Sequence, residues 1–201
     1  MTDPREAADN DLSDEQLMSQ VSRGHRGAFG LLVERHHQAA LNLAYRLSGN
    51  PELSRDVVQE SYLRILKAAR RYEPRGQFRS YLFGVVRNVV RELSRRQRSR
   101  REERLDPGSG GDSIPGRFAA TAAEPSTPVT VVEGQELRDR LFGILQSMPE
   151  PLRVVFVLSE MEGLSYSEIA RICGCPMGTV ASRKHAAVSR LRAGLGPFRS
   201  S

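Results

Sequence analysis

The segment GLSYSEIARICGCPMGTVASRKHAAVSRLR, residues 163–192, reads as two helices joined by a tight turn. Ser165 and Glu168 make the S-x-x-E pattern of a capping box, in which hydroxyl and carboxylate each satisfy a backbone N–H at a helix start. The spacing predicts a short helix over Tyr166–Ile172. It ends at Gly174, the residue type best suited to a left-handed C-terminal turn. Pro176 then suits the first turn of a second helix running past Leu191. Ala170, Gly174 and Val180 supply a small residue where the helices touch, a turn glycine and a branched apolar anchor. Together these make a helix-turn-helix, whose second helix enters the DNA major groove.

The chain's two cysteines, Cys173 and Cys175, flank that turn glycine. A structural zinc site needs four ligands, and its cysteine pairs are usually separated by two to four residues. Here one residue separates them, and His185 is the nearest further candidate. In this register both cysteines are expected to point inward as small apolar residues, and no metal or cofactor is expected.

The whole chain has 201 residues, 39% hydrophobic and 27% charged, with a net charge of +6. That length accommodates one or two compact domains. No apolar run reaches membrane-span length, and the acidic start MTDPREAADNDLSDEQ is no secretory signal. Two cysteines so close together form no disulfide scaffold, so a cytoplasmic location is expected. The charge is unevenly placed. Residues 61–104 carry 14 Lys and Arg against 4 Asp and Glu, and residues 177–201 carry 5 against none. Two basic blocks beside amphipathic helices favour a polyanion, and nucleic acid over membrane.

Helical periodicity runs from Ser13 to Arg104 in four segments and resumes near Glu133. The stretch DPGSGGDSIPGRFAATAAEPSTP between them loses it and is rich in linker residues. No strand alternation is evident. The expected fold is all-α: a helical domain over 1–104, a flexible linker over 105–132 and a helix-turn-helix domain over 133–201. The first helix is opened by a Ser13/Gln16 capping box.

The strongest signal in the first half is the helix from Phe78. Phe78, Tyr81, Leu82, Val85, Val86, Val89, Val90 and Leu93 form one apolar stripe. Arg79, Phe83, Arg87, Arg91 and Arg95 recur every four residues, with Arg98 beyond, as a ridge able to track phosphates. Phe83, Tyr81, Tyr72 and Phe78 are candidates for stacking on unpaired bases, or for core. On the preceding helix Asp56, Gln59 and Glu60 share a polar face. No histidine stands at the spacing that would turn these carboxylates into a metal site. The face is either solvated or an acidic surface for a basic partner.

The segments LSRDVVQESYLRI, FRSYLFGVVRN, SMPEPLRVVFVLSEMEGLSYSEIA and CPMGTVASRKHAA, in that order, resemble the extracytoplasmic-function sigma factors, the two-domain group of the bacterial sigma-70 family. With the linker they span most of residues 15–195. The last two, adjacent at this spacing, are specific; a helix-turn-helix alone is not. The resemblance implies a non-enzymatic subunit that directs core RNA polymerase to promoters, with an anti-sigma protein as its inhibitor. It places Asp56, Gln59 and Glu60 on the surface that docks the polymerase. Tyr72, Arg75, Gln77, Phe78 and Tyr81, with Arg87, Asn88 and Arg91, fall where the minus-10 element is opened and a flipped base captured. Thr179, Ser182, Arg183 and His185 fall where the minus-35 duplex is read.

The two promoter elements lie roughly 80 Å apart, at about 34 Å per helical turn. A relaxed 28-residue linker would span about 30 Å and an extended one about 90 Å. Both domains can therefore engage together when the linker is extended. The chain departs from the family pattern in Ala181, Ala186 and Val188, where basic residues are usual, and in having no tryptophan near Tyr81. These departures bear on which promoter is read. A different reading of the same residues is a stand-alone helix-turn-helix regulator whose N-terminal half senses a ligand or metal.

Overall fold

The computed structural model describes residues 12–73, 77–104 and 128–196. The described residues are helical, without a strand, and the chain divides into two compact units.

The N-terminal unit holds α1 (Asp14–Ser22), α2 (Arg26–Ser48) as far as Tyr45, α3 (Pro51–Ala68) from Glu52 and α4 (Phe78–Arg104), with a 3-10 turn over Ala69–Arg71 after α3. The Ser13/Gln16 capping box forms in both directions, with Ser13 N–H donating to Gln16 Oε1 at 2.7 Å and Gln16 N–H donating to Ser13 Oγ at 3.2 Å. The core takes Leu17, Met18 and Val21 from α1, Leu32 and Leu43 from α2, and Val57, Val58 and Ile65 from α3. From α4 it takes Phe78, Leu82, Phe83, Val86 and Val89, all fully buried, and Val90. Each valine forfeits up to about 0.7 kcal/mol of helix propensity relative to alanine. Burial of a valine side chain returns about 1.5 kcal/mol or more, so packing decides that this stretch is helical.

In the C-terminal unit α5 (Pro128–Ser147) begins five residues before the expected Glu133, and the 128–132 end of the expected linker is helical. After it come α6 (Glu150–Phe156), a wide π-helical turn over Val157–Met161, α7 (Tyr166–Cys173) and α8 (Met177–Leu195). Helix α8 packs against α5, α6 and α7. Leu145, Met148, Ala187 and Leu191 form a buried cluster there, closed over by Leu141, Ile144, Leu152, Phe156 and Met161.

The turn between α7 and α8 is built as its sequence predicts. Gly174 adopts φ 62° and ψ 41°. Cys175 N–H donates to the Ala170 carbonyl at 3.1 Å and Gly174 N–H to the Arg171 carbonyl at 3.4 Å, the paired bonds of a Schellman motif. Pro176 is the residue before α8 rather than part of its first turn, with an extended ψ of 150°. No atom outside the turn lies within 4 Å of a side chain added at Gly174. Gly174→Ala is therefore expected to cost only the left-handed penalty, about 1 kcal/mol. Gly174→Asn should cost less, as thermal denaturation of the two variants will show.

Candidate nucleic-acid interface

In the N-terminal unit the 3-10 turn delivers Tyr72, whose N–H donates to the Ala69 carbonyl at 3.1 Å. Its ring meets that of Tyr81 at 5.1 Å between centroids, and Phe78 lies 6.4 Å from Tyr81. His36 of α2 approaches Phe78 at 5.4 Å. The structure thus gathers Tyr72, Phe78 and Tyr81 into one aromatic group. Partial burial pushes both phenols above their ordinary pKa, with a smaller push at Tyr72 from Glu15, Tyr81 and Asp14. Both are neutral near pH 7 and available as hydroxyl donors.

Within that group the roles differ from a simple reading of the sequence. Phe78 is fully buried, so it supports the two tyrosines and presents no face for a base to stack on. Phe83 is fully buried too and leaves the proposed ridge. A row of every fourth residue drifts about 40° per step around a helix of 3.6 residues per turn. At Phe83 the row crosses the core, and from Arg91 onward it is exposed. Arg79 lies over the Phe83 ring, its guanidinium 4.9 Å from the centroid. Arg87 is half-buried, with Nη1 donating to Asn88 Oδ1 at 3.1 Å, and Asn88, Arg91 and Arg95 are exposed. Gln77 is exposed just before α4. Arg75 lies outside the described residues.

Asp56 and Gln59 are exposed on α3. Glu60 accepts from Arg64 Nε at 2.7 Å, and Arg64 reaches across to Glu92 of α4 at 2.8 Å. Arg64 holds the Glu92 carboxyl below the usual carboxylate range. Beside these residues, between α2 and α3, opens an apolar groove of about 350 Å³ lined by Phe29, Val33, Leu41, Val58 and Leu63, with Gln59 also on its wall. Periodicity focused on the buried stripe overlooks it. The signal was Leu63, an apolar residue out of phase with that stripe and 43% exposed.

In the C-terminal unit Val180, Ala187 and Leu191 anchor α8 in the core. At 100° per residue Ser182 faces away from those anchors, with Thr179, Arg183 and His185 on its two sides. Ser182 and His185 are exposed, while Thr179 and Arg183 are half-buried. Ser182 Oγ donates to the Thr179 carbonyl at 3.1 Å. Lys184 is engaged elsewhere: its Nζ is 2.6 Å from Glu160 Oε1 and 5.4 Å from the Tyr166 ring centroid. Glu160 raises the Lys184 pKa accordingly.

The cysteines are not buried as expected. Both are only partly buried: Cys173 is the last residue of α7 and Cys175 follows the left-handed Gly174, so both sit at the end of the helix rather than along its packed face. Cys175 follows the left-handed glycine, a position whose side chain usually packs back on the preceding helix. Its Sγ accepts from Arg183 Nη1 at 3.8 Å. Among the described residues no three His, Cys, Asp or Glu side chains cluster as metal ligands would.

Comparison with known proteins agrees with this division. Residues 32–100 match Sigma-70 region 2 and residues 138–191 match Sigma-70, region 4. The chain is 34% identical over 175 residues to the ECF RNA polymerase sigma-E factor of Escherichia coli (strain K12), covering 86% of this chain and 88% of that one. It is 34% identical over 161 residues to the ECF RNA polymerase sigma factor SigE of Mycolicibacterium smegmatis, covering 80% of this chain and 59% of that one. Among solved structures it is similar to CnrH in complex with the cytosolic domain of CnrY, at 26% identity and a TM-score of 0.65, covering 90% of this chain and 96% of that one. It shares its fold with RpoE of Bartonella quintana in complex with the anti-sigma factor NepR, at 24% identity and a TM-score of 0.66, covering 85% and 98%.

Proposed function

The chain belongs to the extracytoplasmic-function sigma factors of the sigma-70 family, and from that membership we propose how its two units divide the work. It is a promoter-specificity subunit that directs core RNA polymerase to promoters and starts transcription there. Sigma factors are initiation factors, and the polymerase supplies the chemistry.

The N-terminal unit, proposed to extend over 1–104, docks polymerase through Asp56, Gln59 and Glu60. It captures an opened minus-10 base with Tyr72, Tyr81, Gln77 and Arg75. Arg87, Asn88 and Arg91 follow the phosphates. Phe78 acts from beneath, holding the tyrosines. The C-terminal unit, proposed to extend over 133–201, reads the minus-35 duplex with Thr179, Ser182, Arg183 and His185. The segment 105–132, or its part before α5, joins the two. This division matches the physics of the two tasks. An opened strand is bound by stacking, at about 1 to 3 kcal/mol per base, whereas a duplex is read by a rigid helix in its major groove. No helix among the described residues is long and apolar enough to cross a membrane. The chain acts in the cytoplasm beside polymerase, and an anti-sigma protein holds it inactive. That CnrH, a similar protein, has been solved with the cytosolic domain of CnrY supports a protein partner of this kind.

The observation that carries the reading is the pairing of two surfaces in one chain: an outward face on α8 with Ser182 and His185 exposed, and the Tyr72–Tyr81 aromatic pair at the start of α4, the helix that further along exposes Arg91 and Arg95. Run-off transcription with the cognate core polymerase tests it. Addition of the protein is expected to produce discrete promoter-dependent transcripts. Tight duplex binding by the protein alone, with no initiation on any promoter of its genome, would establish a stand-alone regulator instead.

A further inference from the structure

Helix α4 starts at Phe78. The residue before it, Gln77, has an exposed side chain, and Gln77 offers the helix only its carbonyl, which accepts from Ser80 N–H at 3.1 Å and Tyr81 N–H at 3.3 Å. The first N–H groups of a helix have no intrahelical acceptor and carry its positive dipole end. Here an acceptor comes from a distant part of the chain: the Phe78 N–H donates to Glu15 Oε1 of α1 at 3.3 Å.

Helix α1 is itself tied down by the neighbouring residue. Asp14 Oδ1 pairs with Arg35 Nη1 at 3.1 Å, and Asp14 Oδ2 lies 2.6 Å from His36 Nε2, both on α2. The same His36 ring contacts Phe78. Two adjacent carboxylates therefore do different jobs, one seating α1 on α2 and the other reaching the start of α4. That start is where Phe78 supports Tyr81, and Tyr81 supports Tyr72.

We infer that Glu15 is a positioning residue for minus-10 opening: by capping α4 at Phe78 it fixes the Tyr72–Phe78–Tyr81 group in the geometry that receives an unstacked base. The inference rests on the proposed minus-10 role of that group. Glu15 acts on strand opening, and leaves polymerase docking and duplex reading to other surfaces.

Three chains decide it: the wild type, Glu15→Ala and Glu15→Gln, the last keeping an acceptor oxygen of the same reach. Each is assembled with core polymerase. Permanganate reactivity of minus-10 thymines reads opening, while core affinity, promoter-duplex affinity and melting temperature are measured alongside. Glu15→Ala is expected to lower permanganate reactivity about tenfold, the scale of one charge-assisted hydrogen bond at a helix terminus. Core and duplex affinity stay within about twofold, as for a change away from those surfaces. Glu15→Gln recovers most of the opening. Wild-type opening by Glu15→Ala overturns the inference, and so does a parallel loss of opening and core affinity with a lowered melting temperature, or no recovery with glutamine. If the wild type itself opens no promoter, it is the minus-10 assignment that fails.

Discussion

Replacing Asp56, Gln59 and Glu60 together with alanine is expected to weaken binding to core polymerase by about 100-fold, or about 3 kcal/mol, at about 1 kcal/mol for each residue, which is below the level of an interface hot spot. The melting temperature should hardly move. Asp56 and Gln59 are exposed, so their removal leaves no hole. Glu60 is bonded to Arg64, but Arg64 keeps its second partner Glu92 when Glu60 is gone, and the link between α3 and α4 survives. An exposed i,i+4 ion pair contributes only about 0.3 to 0.5 kcal/mol in any case. The groove beside Gln59 sharpens the expectation. Carboxylates on the rim of an interface mainly govern the rate and salt dependence of association. The apolar wall of Phe29, Val33 and Leu63 offers the desolvated area that holds a complex together. Equilibrium binding of a labelled core polymerase checks this, and affinity within about threefold of wild type, well under one tenfold step, would remove these residues from the docking surface.

The parts of this molecule that were legible in its sequence are those fixed by neighbours in the chain. The capping boxes at Ser13 and Ser165 and the left-handed Gly174 involve partners three to five residues away, and each forms as its spacing predicts. The α4 stripe is legible for the same reason, since a single helix period places all its members. Misreadings arise where a third dimension intervenes. Phe83 shares the four-residue spacing of the arginines, yet the row turns steadily around the helix and crosses the core at that position. Phe78 carries an aromatic ring at the start of α4, where base stacking is a reasonable expectation, but His36 and the core enclose it. The register of the motif points the cysteines inward, yet at the end of α7 both are only partly buried. Glu15 gave no signal at all. Its partner Phe78 is 63 residues away, and nothing in SDEQLMSQV distinguishes a carboxylate that caps a remote helix from one in solvent. The wide turn at Val157–Met161 is of the same kind, since its residues are those of an ordinary amphipathic helix.

The two units should also fail separately, and Val180→Asp tests this with the largest expected effect on stability. Val180 is fully buried and is an anchor of α8 against the rest of its unit. An unpaired carboxylate there either remains charged in an apolar site or takes up a proton, and each route costs several kcal/mol, about 3 to 5 by comparison with other uncompensated buried charges. That is a large share of the stability of a small domain, commonly about 5 to 15 kcal/mol. The C-terminal unit is expected to lose its cooperative melting, and minus-35 duplex binding should disappear with it. Val180→Ala, which removes two methyl groups and adds no charge, should cost about 1 to 2.5 kcal/mol and keep the duplex bound. Core affinity should persist in both variants, because Asp56, Gln59 and Glu60 and the groove beside them are built from α2 and α3. Transcription then separates the assignments. A promoter that depends on its minus-35 element should fall silent with Val180→Asp, while polymerase carrying the variant still captures a single-stranded minus-10 oligonucleotide. Loss of that capture at unchanged core affinity would mean that minus-10 recognition is not confined to the N-terminal unit.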